Sequence, residues 1–450
     1  MKIRSAGGRN CGRYAPAMVA IALVAGACSS NAEESNPSTT ATTGERIEVR
    51  MAHFVTDESA DKINEVLATY NASQDRYLAV AEPVGDALED RVRASIRAGN
   101  PPDLVYLPST QSLAAFASAG GATPLQPLVE RDGFDLDAIV PSALDATVVD
   151  GQLVGLPMGM DSYALYINRS AFVEAGLDPD SPPTTFDELL AVAEQLTTTD
   201  SSGRIERLGF EPTTGSGLEI WASTAGVRWF DDDQQPTVSD DQAWSAVFGF
   251  VEEYYERFDG TAVRERLESF GDFYSTEAPF MTGELAMTVI GEWYISTIAD
   301  VAPDLDYSVH PVPVPAASPE RYGAGHVGGS SLFIPDGAGN VDGAWDLMTW
   351  LAVDDAAQRG FIVDVFSNIP TGASALAEVS SSATPPLATF FEIAEHPSSA
   401  SMPSTPLGWG LLEPFDRVAE DIRFGRGDWR DQLTTIEDEI ATALAAASQS

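Results

Sequence analysis

From Ile47 onward, apolar side chains switch repeatedly between a period of two and a period near 3.6, and that switching predicts the elements. Residues 47–54, IEVRMAHF, put Ile47, Val49 and Met51 on one face of a strand. Ile63, Val66, Leu67 and Tyr70 then fall at i, i+3, i+4 and i+7, one buried stripe of a helix that Asp57 or Ser59 can cap. YLAVAEPV (77–84) is a second strand. A helix from Asp86 carries Leu88, Val92 and Ile96 on one side and stops at Gly99. Asn100-Pro101-Pro102-Asp103 breaks the chain before a short buried strand, Leu104 to Leu107. A β-α-β-α-β run this compact is the pattern of a parallel sheet with helices on its faces.

The later chain is more helical. Helices are expected at Phe186–Leu196, after the turn-rich PDSPPTT, and at Ala243–Phe258, which carries Trp244, Phe248, Phe250, Tyr254, Tyr255 and Phe258. Two more are expected at Ala344–Leu351 and at Trp429–Leu444, where Trp429, Leu433, Ile436, Ile440 and Leu444 form an amphipathic face. These stripes read as core.

The first 46 residues follow other rules. Lys2, Arg4, Arg9 and Arg13 precede an apolar run, Tyr14 to Ala27, with no acidic side chain among them. As a helix the run would cover roughly 21 Å of a ~30 Å hydrocarbon core, too short to span it. Basic start, short apolar centre and small residues at the end make a secretory signal peptide for the general secretory route, there being no Arg-Arg pair. Ala25-Gly26-Ala27-Cys28 resembles a bacterial lipobox, with Ala25 where a bulky aliphatic is usual. The expectation is cleavage before Cys28, lipidation of its thiol and anchoring at the outer face of the cell membrane. Residues 29–45 have no large apolar side chain and read as a flexible tether.

Composition removes whole classes of chemistry. Both cysteines, Cys11 and Cys28, precede residue 29, so the body has no thiol nucleophile, thiolate metal site or internal disulfide. With 25 Lys+Arg against 68 Asp+Glu the net charge is −43, which argues against nucleic acid as a partner. His53, His310, His326 and His396 lack the short spacing of a local metal pair, no G-x-S-x-G elbow occurs, and Gly215-Ser216-Gly217 lacks the lysine of a phosphate loop. Asp200-Ser201-Ser202-Gly203 lacks the later ligands of a calcium loop and reads as a turn. No enzyme, metal or cofactor is expected.

Five stretches resemble, in order, the extracellular solute-binding proteins of sugar-importing ABC transporters, of the maltose-binding-protein-like kind. They are AGNPPDLVYL (98–107), VDGQLVGLPMGMDSYALYINRSAFVEAGLDPDSPPTTFDELL (149–190), LTTTDSSGRIERLGF (196–210), FMTGELAMTVIGEWYIS (280–296), and VPVP with GHVGGSSLFIP and AWDLMTWLA (312–352). Arg169 and Phe186 stand where the family pattern has Lys and Trp. The resemblance implies an α/β, two-lobe, periplasmic-binding-protein-like fold of type II. Each lobe is then a mixed sheet flanked by helices, and crossover strands join the two. It places lobe one at 47–158 plus 290–350 and lobe two at 159–289 plus 351–450.

The same resemblance implies a monomeric, lipid-anchored receptor that captures a sugar between the lobes and docks on permease subunits. Sugars offer hydroxyls to carboxylates and apolar C–H faces to aromatic rings. The implied ligand contacts are Asp161 and Tyr163 in a first crossover; Glu292 and Trp293 in a second, beside Tyr294; Gly328 and Gly329, where backbone can approach ligand; and Trp409, Trp221, Ser109 and His53. Core packing is the alternative for Trp293 and Trp221, and helix or loop capping for Asp161 and Ser109. The rival cargoes are a polyamine, glycerol phosphate or another small solute; a secreted glycosidase or an adhesive lipoprotein are rivals of other classes.

Overall fold

The computed structural model describes residues 46–56, 59–215, 217–239 and 241–447. The expected signal peptide, Cys28, the tether and the Asp57 cap lie outside the described residues. The body begins with β1 (Ile47–His53), a helix Ser59–Ser73, β2 (Tyr77–Pro83), a helix Leu88–Arg97 and β3 (Leu104–Leu107). As the pattern predicts, β1 pairs in parallel with both β2 and β3. Successive residues serve opposite faces of these strands. Val49, Met51, Leu104 and Tyr106 join one core, and Ala52, Val105 and Leu107 another, so both faces of the sheet are covered.

The long strand β4 (Leu156–Asn168) organises everything after this. It is followed by β5 (Met287–Gly291), β6 (Tyr307–His310), β7 (Val327–Phe333) and β8 (Ile369–Pro370), all antiparallel to it. The sheet runs β6-β4-β7-β3-β1-β2, with β5 and β8 also paired to β4. Its first half, through Ser162, takes β7 and β8; its second half, from Tyr163, takes β5 and β6. One strand is therefore shared by two sets of partners, and the change of partners falls between Ser162 and Tyr163.

The cores follow that division. One gathers Val49, Met51, Leu156, Leu332 and Leu347; another gathers Leu165, Phe172, Phe186, Trp244, Phe415 and Ile436. Between them Met160, Ala164, Tyr166, Tyr294 and Phe390 form a third. The aromatic helix expected at 243–258 is Gln242–Arg257, and Trp244 stacks on Phe415 with ring centroids 4.2 Å apart. The helix expected from Trp429 opens as a single tight turn, Trp429–Gln432, before Leu433–Ala447. Before β4, Val148–Val149 pairs with Gln152–Leu153 around Asp150 and Gly151, whose φ angles of 50° and 73° suit an Asp-Gly turn. Asp200 is a turn residue, accepting from the Ser202 and Arg204 backbone N–H groups at 2.8 and 3.0 Å.

Candidate functional site

The partner change in β4 is where chemistry collects. Asp161 and Tyr163 lie two apart and so project from the same face of the strand. Facing Asp161 across the ladder is Gly328, and facing Tyr163 is Gly291, which leads directly into Glu292 and Trp293. The second crossover expected at Glu292 and Trp293 is instead a turn: β5 ends at Gly291 and a helix runs Tyr294–Val301. The turn folds Glu292 back, so that its Oε2 accepts the Ser162 N–H at 3.0 Å. The Trp293 ring meets Tyr163 edge to face at 5.5 Å, and its Nε1 donates to the Tyr274 hydroxyl at 3.3 Å.

Three residues that the sequence did not single out complete this cluster. His326 is buried, lies edge to face with Tyr163 at 5.6 Å, and shares a hydrogen bond of 2.9 Å between its Nδ1 and Ser223 Oγ. Glu219 is one turn before Ser223 on the helix Leu218–Ala225, hence on the same helix face. Asn368, after the π-type turn Arg359–Val363, donates its amide to Asp161. Glu219 and His326 were visible only as neighbours of something else: Glu219 just before Trp221, His326 just before the Gly328-Gly329 pair.

Burial governs the electrostatics. It pushes the Asp161 carboxyl up, against the pull of the Asn368 hydrogen bond. Burial, and then the charge of Asp161, pushes Glu292 well above the usual carboxylate range. Glu219 is raised to about 7, again chiefly by burial, and His326 is lowered to about 4 for the same reason. The Tyr163 hydroxyl, raised first by burial, also feels the charges of Asp161, Glu219 and Glu292. Glu292 Oε1 and Glu219 Oε2 are buried with no hydrogen-bond partner. Unpaired buried carboxylate oxygens are costly, and a ligand bearing N–H or O–H donors would satisfy them. Alongside lies a cavity of about 110 Å³, lined in part by Thr110, Met160, Gly328, Gly329, Ser330 and Ser401. Gly328 belongs to both: a Cβ there would sit 3.4 Å from His326 Nε2 and 3.9 Å from Asp161 Oδ2. Among the described residues no cluster of His, Cys, Asp and Glu could hold a metal ion, and no helix is long and apolar enough to cross a membrane.

Residues 65–389 match the sequence profile of the bacterial extracellular solute-binding proteins. The chain belongs to that family. Its members are binding receptors, not enzymes. Among curated relatives, the sn-glycerol-3-phosphate-binding periplasmic protein UgpB of Shigella flexneri is 25% identical over 300 residues, covering 63% of this chain and 65% of the relative. Its Escherichia coli K12 counterpart is 24% identical over the same length. The chain thus spans slightly under two thirds of these relatives. Among solved structures, CpMnBP1 with mannotriose bound superposes with a TM-score of 0.78 at 22% identity, covering 88% of this chain and 100% of that one. The GacH receptor of Streptomyces glaucescens, studied with acarbose, gives a TM-score of 0.71 at 18% identity over 89% and 99% of the two chains. Lmo0181 of Listeria monocytogenes, in complex with cycloalternan, gives 0.73 at 18% identity over 89% and 100%. These likenesses establish the periplasmic-binding-protein-like α/β fold.

In this solute-binding protein the remaining expected contacts are placed elsewhere. Trp221 is a core residue: it is wholly buried, packs on Phe186, Phe210 and Phe250, and donates Nε1 to the Pro212 carbonyl at 2.7 Å. It offers a ligand no surface, and the alternative of core packing is the one its surroundings fit. Ser109 is the N-cap of the helix Thr110–Ser118, its hydroxyl accepting from the Gln111 and Ser112 N–H groups at 3.1 and 3.3 Å. His53 ends β1 fully buried, with neither ring nitrogen paired, and burial lowers its pKa to about 4. Trp409 is 44% exposed on the turn Gly408–Leu411, beside the first turn of the Thr110–Ser118 helix. Gly329 is required by strand packing: a Cβ there would lie 2.5 Å from the Gly159 carbonyl oxygen.

Proposed function

We propose that this protein captures a sugar or oligosaccharide at the Asp161–Tyr163–Glu292–Trp293 cluster and delivers it to an ABC-type permease. The observation that carries the reading is the meeting of buried carboxylates with an edge-to-face aromatic pair where β4 changes partners. Carboxylates accept sugar hydroxyls and the rings take the C–H face. The mannotriose, cycloalternan and acarbose of its structural neighbours' complexes support the same cargo class. In this reading 47–158 plus 290–350 and 159–289 plus 351–450 are two lobes, and contacts made to both shift the population toward a closed form. Export through the general secretory route and a lipid on Cys28 would hold the monomer at the outer membrane face, within reach of its permease.

The names of the UgpB relatives favour a second reading, capture of a phosphorylated polyol. Thermal denaturation of the purified protein separates the two, since a ligand that binds only the folded state raises the melting temperature by mass action. Mannotriose, maltose, cycloalternan and sn-glycerol 3-phosphate are the panel. A rise with a saccharide and none with the phosphate supports sugar capture; a rise with sn-glycerol 3-phosphate alone overturns it.

A further inference from the structure

Glu292 and Glu219 each bury an oxygen without a partner, and Asp161 is held only by the neutral amide of Asn368. Among the described residues no ion pair reaches these three carboxyl groups. The chain has only two lysines, Lys2 and Lys62, both far along the sequence from the cluster. The arginine bonded beside it, Arg321, is committed elsewhere: it donates to the carbonyl oxygens of Ser223, Thr224 and Ser398 at 2.9–3.0 Å. Arg359 pairs with Glu378. His326, joined to Ser223 and desolvated, stays neutral at pH 7.

The aromatic side of the site has matching chemistry. Tyr163 and Trp293 stand at an interplanar angle of 89°, so they form two walls of a corner, and Tyr274 closes on Trp293 through its hydroxyl. Two ring faces at right angles attract a substituted ammonium group by cation–π, and the bound cation in turn favours the ionised form of the carboxyl groups behind them, which burial otherwise holds protonated. A phosphate would find no cation among these groups to pair with. The excess of 68 acidic over 25 basic side chains adds a long-range field of the same sign, which concentrates cations and repels anions.

We propose that the solute bound at this site is a saccharide carrying a protonated amino group, with the ammonium seated in the Tyr163–Trp293 corner against Glu219, Glu292 and Asp161. This rests on the sugar-capture reading and narrows it: the hydroxyls identify the class, and the charge selects its basic members. An amino sugar whose nitrogen is acetylated keeps shape and hydroxyls while losing the charge, so it isolates the proposed term.

The test is titration calorimetry of the purified protein at pH 6.5 and low salt with three forms of each disaccharide in the gluco and manno series. These are the 2-amino sugar, its N-acetyl form and the parent sugar, with sn-glycerol 3-phosphate alongside. The amino form should bind at least about tenfold tighter than the other two, and about 0.3 M salt should erode the difference. Glu292→Gln and, separately, Glu219→Gln should each shrink the amino-to-parent affinity ratio toward one; the ratio is taken within each variant, so any loss of hydroxyl contacts common to both sugars cancels. The Glu219 variant keeps the test open should the Glu292 variant not fold. Parent or N-acetyl sugars that bind as well as the amino form would overturn this inference and leave sugar capture standing. If no saccharide of any kind binds the folded protein, the sugar reading falls with it.

Discussion

At the scale of single residues, two tryptophans that look alike in sequence do different work. Trp293 is half-buried and touches Tyr163 and Tyr274, all in the candidate site. Trp293→Ala should weaken sugar affinity by about 1–3 kcal/mol with the urea midpoint nearly unchanged. Trp221→Ala removes a side chain from the middle of Phe186, Phe210 and Phe250, so it should cost about 3–5 kcal/mol of stability. Equilibrium urea unfolding and calorimetric titration, run on both variants, give the contrast. An unchanged affinity for a well-folded Trp293→Ala protein would remove Trp293 from the site. The family resemblance offers both as ligand contacts; only burial and ring geometry tell them apart.

At the scale of elements, β4 and β7 decide where the ligand groups point. Their close approach is possible because Gly329 has no side chain: a Cβ would come within 2.5 Å of the Gly159 oxygen on the neighbouring strand. Backbone cannot swing away as a flexible side chain can, so Gly329→Ala should force the strands apart and cost about 1–3 kcal/mol. Since the Gly328–Asp161 register is adjacent, affinity should fall as well. Gly328 has ordinary contact distances to His326 and Asp161, and Gly328→Ala should leave stability within about 0.5 kcal/mol. Thermal unfolding of the pair checks this, and equal melting temperatures for the two variants would refute the packing account. The same elements show what patterning captures. β1–β3 and the helices between them are legible because each is one hydrophobic period bounded by breakers. The turn at Glu292-Trp293 was not, since its conformation is set by the Ser162 N–H it folds back to meet.

At the scale of the whole molecule, the buried ionisable groups make stability depend on pH in opposing directions. Glu219 has its pKa raised from 4.5 to about 7 on folding, so its contribution is fully present below pH 4.5 and is lost as pH rises through 7. His326 and His53 are lowered from 6.5 to about 4; their contribution is present above pH 6.5 and lost as pH falls toward 4. The ligand-free protein should therefore pass through a stability maximum in mildly acidic solution and weaken toward pH 8. Glu219→Gln removes the alkaline part and should gain on the order of 3 kcal/mol at pH 8 with little change at pH 4. Urea midpoints measured across pH 4–8 test the sign. A Glu219→Gln protein less stable than its parent at pH 8 would contradict it.

The sequence by itself determined the alternation of strands and helices in the first 60 residues of the body and the family. Both rest on local periods, turn chemistry or motifs contiguous in the chain. It also pointed to Asp161, Tyr163, Glu292, Trp293 and Gly328, each beside a motif. Only the tertiary structure decided that one strand serves two sets of partners, that Glu219 and His326 lie in the candidate site, and that Trp221 and Ser109 serve packing and capping. The first two depend on contacts between residues 100 or more positions apart, as with Ser223 and His326 or Ser162 and Glu292; the last two depend on which of several nearby partners burial selects. Burial, which sets both the pKa shifts and the unpaired carboxylate oxygens, exists only once those distant segments have packed.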